Sequence, residues 1–311
     1  MDQIKDKTFL ITGGAGFIGS HTADALIERG GRVVIVDDLS TGRKENMNAR
    51  ATFYEMSAFS PKLRDVFEKE KPNIVYHMAF NVQVPRSVED PLMDAQCILD
   101  SLNTIIVSNA HKVERFIFPS SGFLYGNNPK RPLDEHEPVD AVSPYAVSKY
   151  AVENYITYYH KNFGFPYIIL RYATVYGPRQ RMGAMADYIR TLDGGGQADI
   201  WGDGTKTRDY VFVEDVVRAN LAALSLPPDY AHPLFNIGTG KETTLNEVYS
   251  AIARLLGKDA KPVYHPDRPG EQIRYALDYE KAKKALNWDP STSIEDGLAK
   301  LIAYFRSRGT V

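Results

Sequence analysis

The sequence predicts an α/β protein, a doubly wound parallel sheet followed by a smaller α/β lobe assembled from discontinuous pieces. Three features predict it. Short apolar runs alternate with longer amphipathic stretches through the first half of the 311 residues. A glycine-rich turn, Gly13-Gly14-Ala15-Gly16-Phe17-Ile18-Gly19, joins the first run to the first amphipathic stretch. After Tyr176-Gly177-Pro178 the alternation breaks, and Gly194-Gly195-Gly196 and Gly202-Asp203-Gly204 mark turns around a short segment at 199–201. Strand–helix alternation puts helices on both faces of a parallel sheet and ligands at the carboxyl ends of its strands.

Residues 8–12, 32–36, 73–77, 115–120 and 167–171 read as buried strands, with helices between them near 17–29, 61–70, 91–111 and 144–163. Ser60-Pro61 and Ser143-Pro144 are helix starts: an oxygen acceptor, then a proline whose missing N–H costs nothing there. A strand–helix unit returns at 209–226, followed by a strand at 234–237. Thr244 and Glu247 have capping-box spacing, and helices are expected near 279–286 and 293–307 beyond the loop 266–270. The predicted division is 1–175 with 209–240 returning to it as a dinucleotide-binding domain, and 176–208 with 241–311 as a second lobe.

Composition narrows the function. Hydrophobic residues make up 43% and charged residues 24%, as in an ordered globular protein. Lysine and arginine total 37 against 39 acidic residues, a net charge of −2 that argues against a nucleic-acid partner. One cysteine, Cys97, excludes an internal disulfide framework and reads as a small buried apolar residue. No apolar run approaches the roughly 20 residues that span a bilayer, and the opening residues lead straight into a strand. A cytoplasmic protein with no membrane partner is expected. The seven histidines lack His-Glu-x-x-His spacing, so no metal site is expected. Ser121 lacks the Gly-x-Ser-x-Gly elbow of a serine hydrolase.

Glycines at 13, 16 and 19 suit a tight turn, close backbone approach to a pyrophosphate and close helix packing. The following helix, opening at Phe17-Ile18, offers free N–H groups and a positive dipole end. Such a turn is weak evidence alone, but here it follows a strand. The second strand ends at Asp37, 18 residues past Gly19. That carboxylate can accept from a ribose diol and would repel a 2′-phosphate, which favours NAD over NADP. The bland alternative for Asp37 is a solvated turn residue. With the glycine turn, the fold becomes a Rossmann-type one.

Tyr145 and Lys149 lie one helical turn apart, 24 residues after Ser121. A free phenol titrates near ~10, and a lysine at i+4 favours its ionised form. Tyr279 and Lys283 share that spacing, but no serine-bearing strand precedes them, so they read as helix surface. Ser121 follows a strand and emerges where a cofactor and a substrate meet. Its hydroxyl can shuttle a proton to Tyr145.

These motifs resemble the extended short-chain dehydrogenase/reductase superfamily: Gly-x-x-Gly-x-x-Gly, Ser-Ser-x-x-x-Tyr-Gly at 120–126 and Ser-Pro-Tyr-x-x-x-Lys at 143–149. Tyr176-Gly-Pro-Arg, Gly202-Asp-Gly with Arg208-Asp-Tyr, Phe235-Asn-Ile-Gly and Arg268-Pro-Gly-Glu extend the match over nearly the whole chain. The nearest branch is the NAD-dependent nucleotide-sugar epimerases similar to UDP-glucose 4-epimerase. The resemblance implies that Tyr145 is the general base, Lys149 its electrostatic partner and nicotinamide-ribose ligand, and Ser121 the hydroxyl partner. The C4 hydride would pass to NAD and return to the other face of a 4-keto sugar. Arg208 and Arg268 would grip the diphosphate of a UDP-sugar, with Glu271 near the nucleoside, in the second lobe. Helices 91–111 and 144–163 would form a homodimer through a four-helix bundle, although burial within one chain would also explain their apolar faces.

The chain departs from the family pattern in several places. Gly122-Phe123-Leu124 offers no carboxylate for elimination or decarboxylation, which favours epimerisation. Ser57 stands where an adenine-binding aspartate is usual, Phe80 where alanine is common and Cys97 where asparagine is frequent, all bearing on NAD retention. Tyr275 would narrow the pocket against N-acetyl groups, or is simply a core aromatic. Arg179, in Arg179-Gln180-Arg181, would pair with the C6 carboxylate of UDP-glucuronate, the main rival to glucose and galactose. Trp201 is read either as nucleobase neighbour or as packing. A 4-keto-sugar reductase and a nonenzymatic dinucleotide sensor are further alternatives.

Overall fold

The computed structural model describes residues 3–268 and 272–309. In chain order its elements are β1 (Thr8–Thr12), α1 (Phe17–Glu28), β2 (Arg32–Asp37), β3 (Thr52–Glu55), α2 (Leu63–Glu70), β4 (Ile74–His77), α3 (Val84–Glu89), α4 (Pro91–Ala110), β5 (Arg115–Ser121), α5 (Pro144–Phe163) and β6 (Tyr167–Tyr172). There follow β7 (Thr174–Tyr176), α6 (Ala184–Asp193), β8 (Asp199–Trp201), β9 (Thr207–Arg208), β10 (Tyr210–Phe212), α7 (Val213–Ala222), β11 (Leu234–Ile237), β12 (Thr243–Thr244), α8 (Leu245–Leu256), β13 (Val263–His265), α9 (Glu280–Leu286) and α10 (Ile294–Ser307).

Seven parallel strands form the main sheet in the order β11-β6-β5-β4-β1-β2-β3. Its central strands are apolar almost without alternation because both faces are covered. Residues of α1 and α7 build the core on one face; α2, α4 and α5 build it on the other. The chain order reverses at β1, which pairs with β2 on one side and β4 on the other. A crevice therefore opens at the carboxyl ends of β1 and β4, where the glycine turn and Met78-Ala79-Phe80 emerge.

Three small two-stranded ladders lie outside this sheet: β7 with β10, β9 with β12, and β8 with β13. A separate apolar core joins α6, α8 and α10 through Tyr188, Ile189, Val248, Ile252, Leu301 and Phe305. The unit expected at 209–226 is thus split. Strand β10 pairs with β7 and packs into this second core, whereas α7 and β11 return to the main sheet.

Local signals explain most boundaries. Ser143 caps α5 by accepting from the Ala146 N–H at 3.3 Å, Pro144 fills the first turn, and Gly164 closes it at φ 67°. Thr244 and Glu247 complete a reciprocal capping box on α8. The helix expected from residue 61 starts at Leu63, because a turn at Ser60 precedes it. Elements not foreseen have weak signals: β3 is a four-residue edge strand, α3 six residues long, and α6 starts at Ala184 behind Gly183, which offers no side-chain cap. Among the described residues no helix is long and apolar enough to cross a membrane.

Candidate active site

The turn after β1 is shaped by what its glycines leave out. Gly13 adopts φ +70°, and a Cβ there would lie 2.7 Å from the Ala79 nitrogen. A Cβ on Gly19 would strike the Gly13 carbonyl, so α1 could not approach the turn. Gly16 caps α1 without a side-chain bond, and no acidic residue sits in the first turn. The first-turn amides at Phe17, Ile18 and Gly19 thus stay available to an anion at the positive end of the helix. Asp37 closes β2; its carboxylate accepts from the Ala15 N–H at 2.9 Å and the Leu39 N–H at 2.8 Å. It is buried, not solvated, and burial raises its pKa while these amides oppose the rise. A backbone cradle, free helix amides and a carboxylate beside them fit a dinucleotide.

Across the crevice, Ser121 ends β5 and Tyr145 opens α5. The Tyr145 N–H donates to Ser87 Oγ at 3.2 Å, so α3, absent from the sequence reading, anchors the start of α5. Burial pushes the Tyr145 phenol up to about 12, and a hydrogen bond with Ser121 works against that rise. Lys149 Nζ donates to the Pro119 carbonyl at 2.6 Å and lies 3.8 Å from the Phe80 ring centre and 4.6 Å from that of Phe118. Burial brings its ammonium down to about 7. The structure brings Ser121 to the phenol and places the ammonium against Pro119, and burial is the largest influence on both groups.

Behind the pair, His77 is fully buried between Thr12 and Ser101, with Nδ1 2.7 Å from Thr12 Oγ1 and Nε2 2.8 Å from Ser101 Oγ. Ser101 donates its proton to the Cys97 carbonyl at 2.7 Å, so it must accept from His77 Nε2–H. Nδ1 then accepts from Thr12. Burial takes this imidazole down to about 3, and it remains neutral. Cys97 is buried, its sulfur accepts from the Asn81 N–H at 3.3 Å, and burial raises its thiol. Ser57 turns to its own loop, accepting from the Phe59 N–H at 3.0 Å.

On the sugar side, Arg208 is buried, donates to the Thr207 carbonyl at 2.7 Å and lies 5.6 Å from the Phe123 ring centre. Phe123 links it to Tyr145, with ring centres 6.5 Å apart, and to Tyr275 at 5.4 Å. Phe123 follows Ser120-Ser121 at the strand end, the signal by which its place could have been read. Tyr275 is fully buried, with its hydroxyl 2.6 Å from Thr174 Oγ1. It is packed as a core aromatic, against Phe123 and close to Gly122. Asp209 binds the Thr239, Gly240 and Leu277 amides, fixing Arg208 between the two cores. Arg268 stacks 3.8 Å over Trp201, which stacks in turn on His265 at 4.8 Å. Glu271 lies outside the described residues. Arg179 is not brought to Ser121 and Tyr145; it pairs with Asp24 on α1 at 2.7 Å. Among the described residues no cluster of three or more His, Cys, Asp or Glu could hold a metal ion.

The profile of the NAD dependent epimerase/dehydratase family matches residues 9–238. UDP-glucose 4-epimerase of Mycolicibacterium smegmatis is 37% identical over 312 residues, covering 96% of this chain and 98% of the relative. The crystal structure of Thermotoga maritima UDP-glucose 4-epimerase with UDP-glucose superposes with a TM-score of 0.93 at 41% identity, covering 97% of this chain and 99% of that one. The Thermus thermophilus UDP-glucose 4-epimerase complex with NAD gives 0.91 at 34%, covering 96% and 99%. A family profile over most of the chain, with a relative and solved structures similar over 96% or more of it, settles the kinship: the protein belongs to the NAD-dependent epimerase/dehydratase family.

Proposed function

We propose that this chain is an NAD-dependent 4-epimerase that interconverts UDP-glucose and UDP-galactose. The observation that carries this reading is Ser121 and Tyr145 meeting beside a buried Lys149, in a segment where Gly122-Phe123-Leu124 supplies no carboxylate for elimination or decarboxylation.

Tyr145 takes the C4 hydroxyl proton, with Ser121 bridging the two oxygens, and returns it after the 4-keto sugar has turned over in the pocket. Burial keeps the phenol protonated at neutral pH, so ionisation needs a positive charge nearby. Bound NAD supplies the redox chemistry and such a charge. Lys149 offers its remaining N–H groups to the nicotinamide ribose, and Asp37 faces the adenosine ribose. The first-turn amides at Phe17 and Ile18 receive the pyrophosphate. Arg208 and Arg268 hold the UDP diphosphate from the second lobe, 176–208 with 241–311, where a guanidinium fork suits phosphate oxygens. Arg179 gives Nη2 to Asp24 while Nη1 stays unpartnered, and that ion pair counts against its serving the C6 carboxylate of UDP-glucuronate.

Two such chains pair through α4 and α5. Leu92, Leu99 and Ile106 are exposed at seven-residue spacing on α4, next to exposed Val147, Tyr150, Tyr155 and Tyr158 on α5. A stripe of that period is the seam of a helical bundle. One buried free thiol suits the reducing cytoplasm.

Incubation of the purified protein with UDP-galactose, without added reductant, is expected to yield UDP-glucose. No conversion, or conversion only with stoichiometric NADPH, would refute the proposal.

A further inference from the structure

We infer that Phe80 is a positioning residue for Lys149: its ring face holds the ammonium against the Pro119 carbonyl and keeps it protonated. The assignment of Lys149 to the nicotinamide ribose, on which this rests, belongs to the epimerase reading above.

Lys149 Nζ occupies a box with few polar walls. Its hydrogen bond runs to Pro119 at 2.6 Å, and its remaining near neighbours include the faces of Phe80 at 3.8 Å and Phe118 at 4.6 Å. Burial acts on it without an ion pair to any carboxylate among the described residues. Glu153, one turn along α5, is held by Arg171 through bonds of 3.0 and 2.7 Å. On α4, Asp94 and Cys97 face the same space; burial raises both, and Asp94 Oδ2 has no hydrogen-bond partner. On β4, His77 is neutral. On α5 itself, Tyr145 remains a phenol. Cys97, Glu153 and Asp94 still pull its pKa upward from a distance, and the Pro119 hydrogen bond favours the charged form; the π face of Phe80, in direct contact, adds to these forces opposing deprotonation.

Phe80 also reaches the base. Its ring meets Tyr145 edge-on, centres 6.0 Å apart at 84°, and meets Phe118 at 6.4 Å and 61°. One side chain thus touches both members of the pair from the β4 loop, half-buried at the margin of the core that includes Phe118.

The test compares Phe80→Leu, which keeps the site dry but removes the ring, with Phe80→Tyr, which keeps the ring face. Phe80→Met replaces the leucine variant if that one does not fold. NAD affinity is measured by titration calorimetry on nucleotide-free protein from about pH 6 to about pH 9, beside the pH profile of kcat/KM for UDP-galactose. In the parent protein, affinity should weaken as pH rises through about 7, where Lys149 loses its proton. The leucine variant should show that fall about one pH unit lower, and the tyrosine variant should track the parent. An unshifted leucine variant, or a tyrosine variant shifted as far as leucine, overturns the assignment. Failure of the parent to interconvert the sugars would count against the epimerase reading, while the NAD titration would still decide the role of Phe80.

Discussion

Arg171 grips Glu153 with two hydrogen bonds, 3.0 Å from Nε and 2.7 Å from Nη2, and Glu153 lies one helical turn beyond Lys149. Both partners are buried. The pair keeps a carboxylate at i+4 from capturing the lysine that the site needs free. Arg171→Met should destabilise the protein by about 3–5 kcal/mol, because it leaves a buried charge unpaired. Adding Glu153→Met should recover most of that loss. Chemical unfolding of both variants measures it, and equal stabilities would contradict the pairing argument.

Tyr145→Phe should lower kcat by about 10²–10⁴-fold while leaving the fold intact. The ring packs against Phe80 and Phe123, and only the hydroxyl and its bond to Ser121 are lost. Steady-state rates with UDP-galactose give the answer; unaltered turnover would remove Tyr145 from the base role.

Lys149→Met should abolish turnover yet raise stability at neutral pH, by about 1–3 kcal/mol, since a desolvated charge gives way to an apolar chain. The sign follows from the two titrations. The folded lysine loses its proton at about 7 and the unfolded one near ~10.4. Between those values the unfolded parent binds more protons, so its folded state gains stability as pH rises. The advantage of the variant should therefore be greatest at pH 7 and below and shrink as pH climbs toward ~10.4. Thermal unfolding across that range tests it; a constant difference would contradict the lowered pKa.

Arg208 and Arg179 should separate. Removing the Arg208 guanidinium, as in Arg208→Met, should raise KM for the UDP-sugar about 10- to 100-fold, the value of a charged hydrogen bond to phosphate. Arg179→Ala breaks the half-buried pair with Asp24 and should cost about 0.5–1 kcal/mol in stability. Its KM should stay within about threefold of the parent. Comparable KM changes for the two variants would place Arg179 in the pocket after all.

Leu99→Glu or Ile106→Glu should convert a dimer into a monomer, because each puts a charge in the apolar stripe of α4. Light scattering after size exclusion reads the mass directly. A parent that runs as a monomer, or a variant that stays dimeric, rules out the bundle.

The sequence alone determined the parts written in local chemistry. The periodicity of 8–12 and 17–29, the glycines at 13, 16 and 19, the Ser143-Pro144 cap and the Thr244–Glu247 box each act within a few residues, and the structure keeps them, with the first helix ending at Glu28. Long-range electrostatics escaped it. The surroundings of the Lys149 ammonium are burial, the Pro119 carbonyl and the ring of a phenylalanine 69 positions earlier in the chain. Arg179 sat in a motif that suggested substrate, yet the packing of its turn on α1 gave it to Asp24. Tyr275 turned inward to Thr174 for the same reason. Turn and helix signals are short-range and survive in one dimension. Desolvation and ion pairing are set by which distant surfaces meet, and only the folded chain decides that.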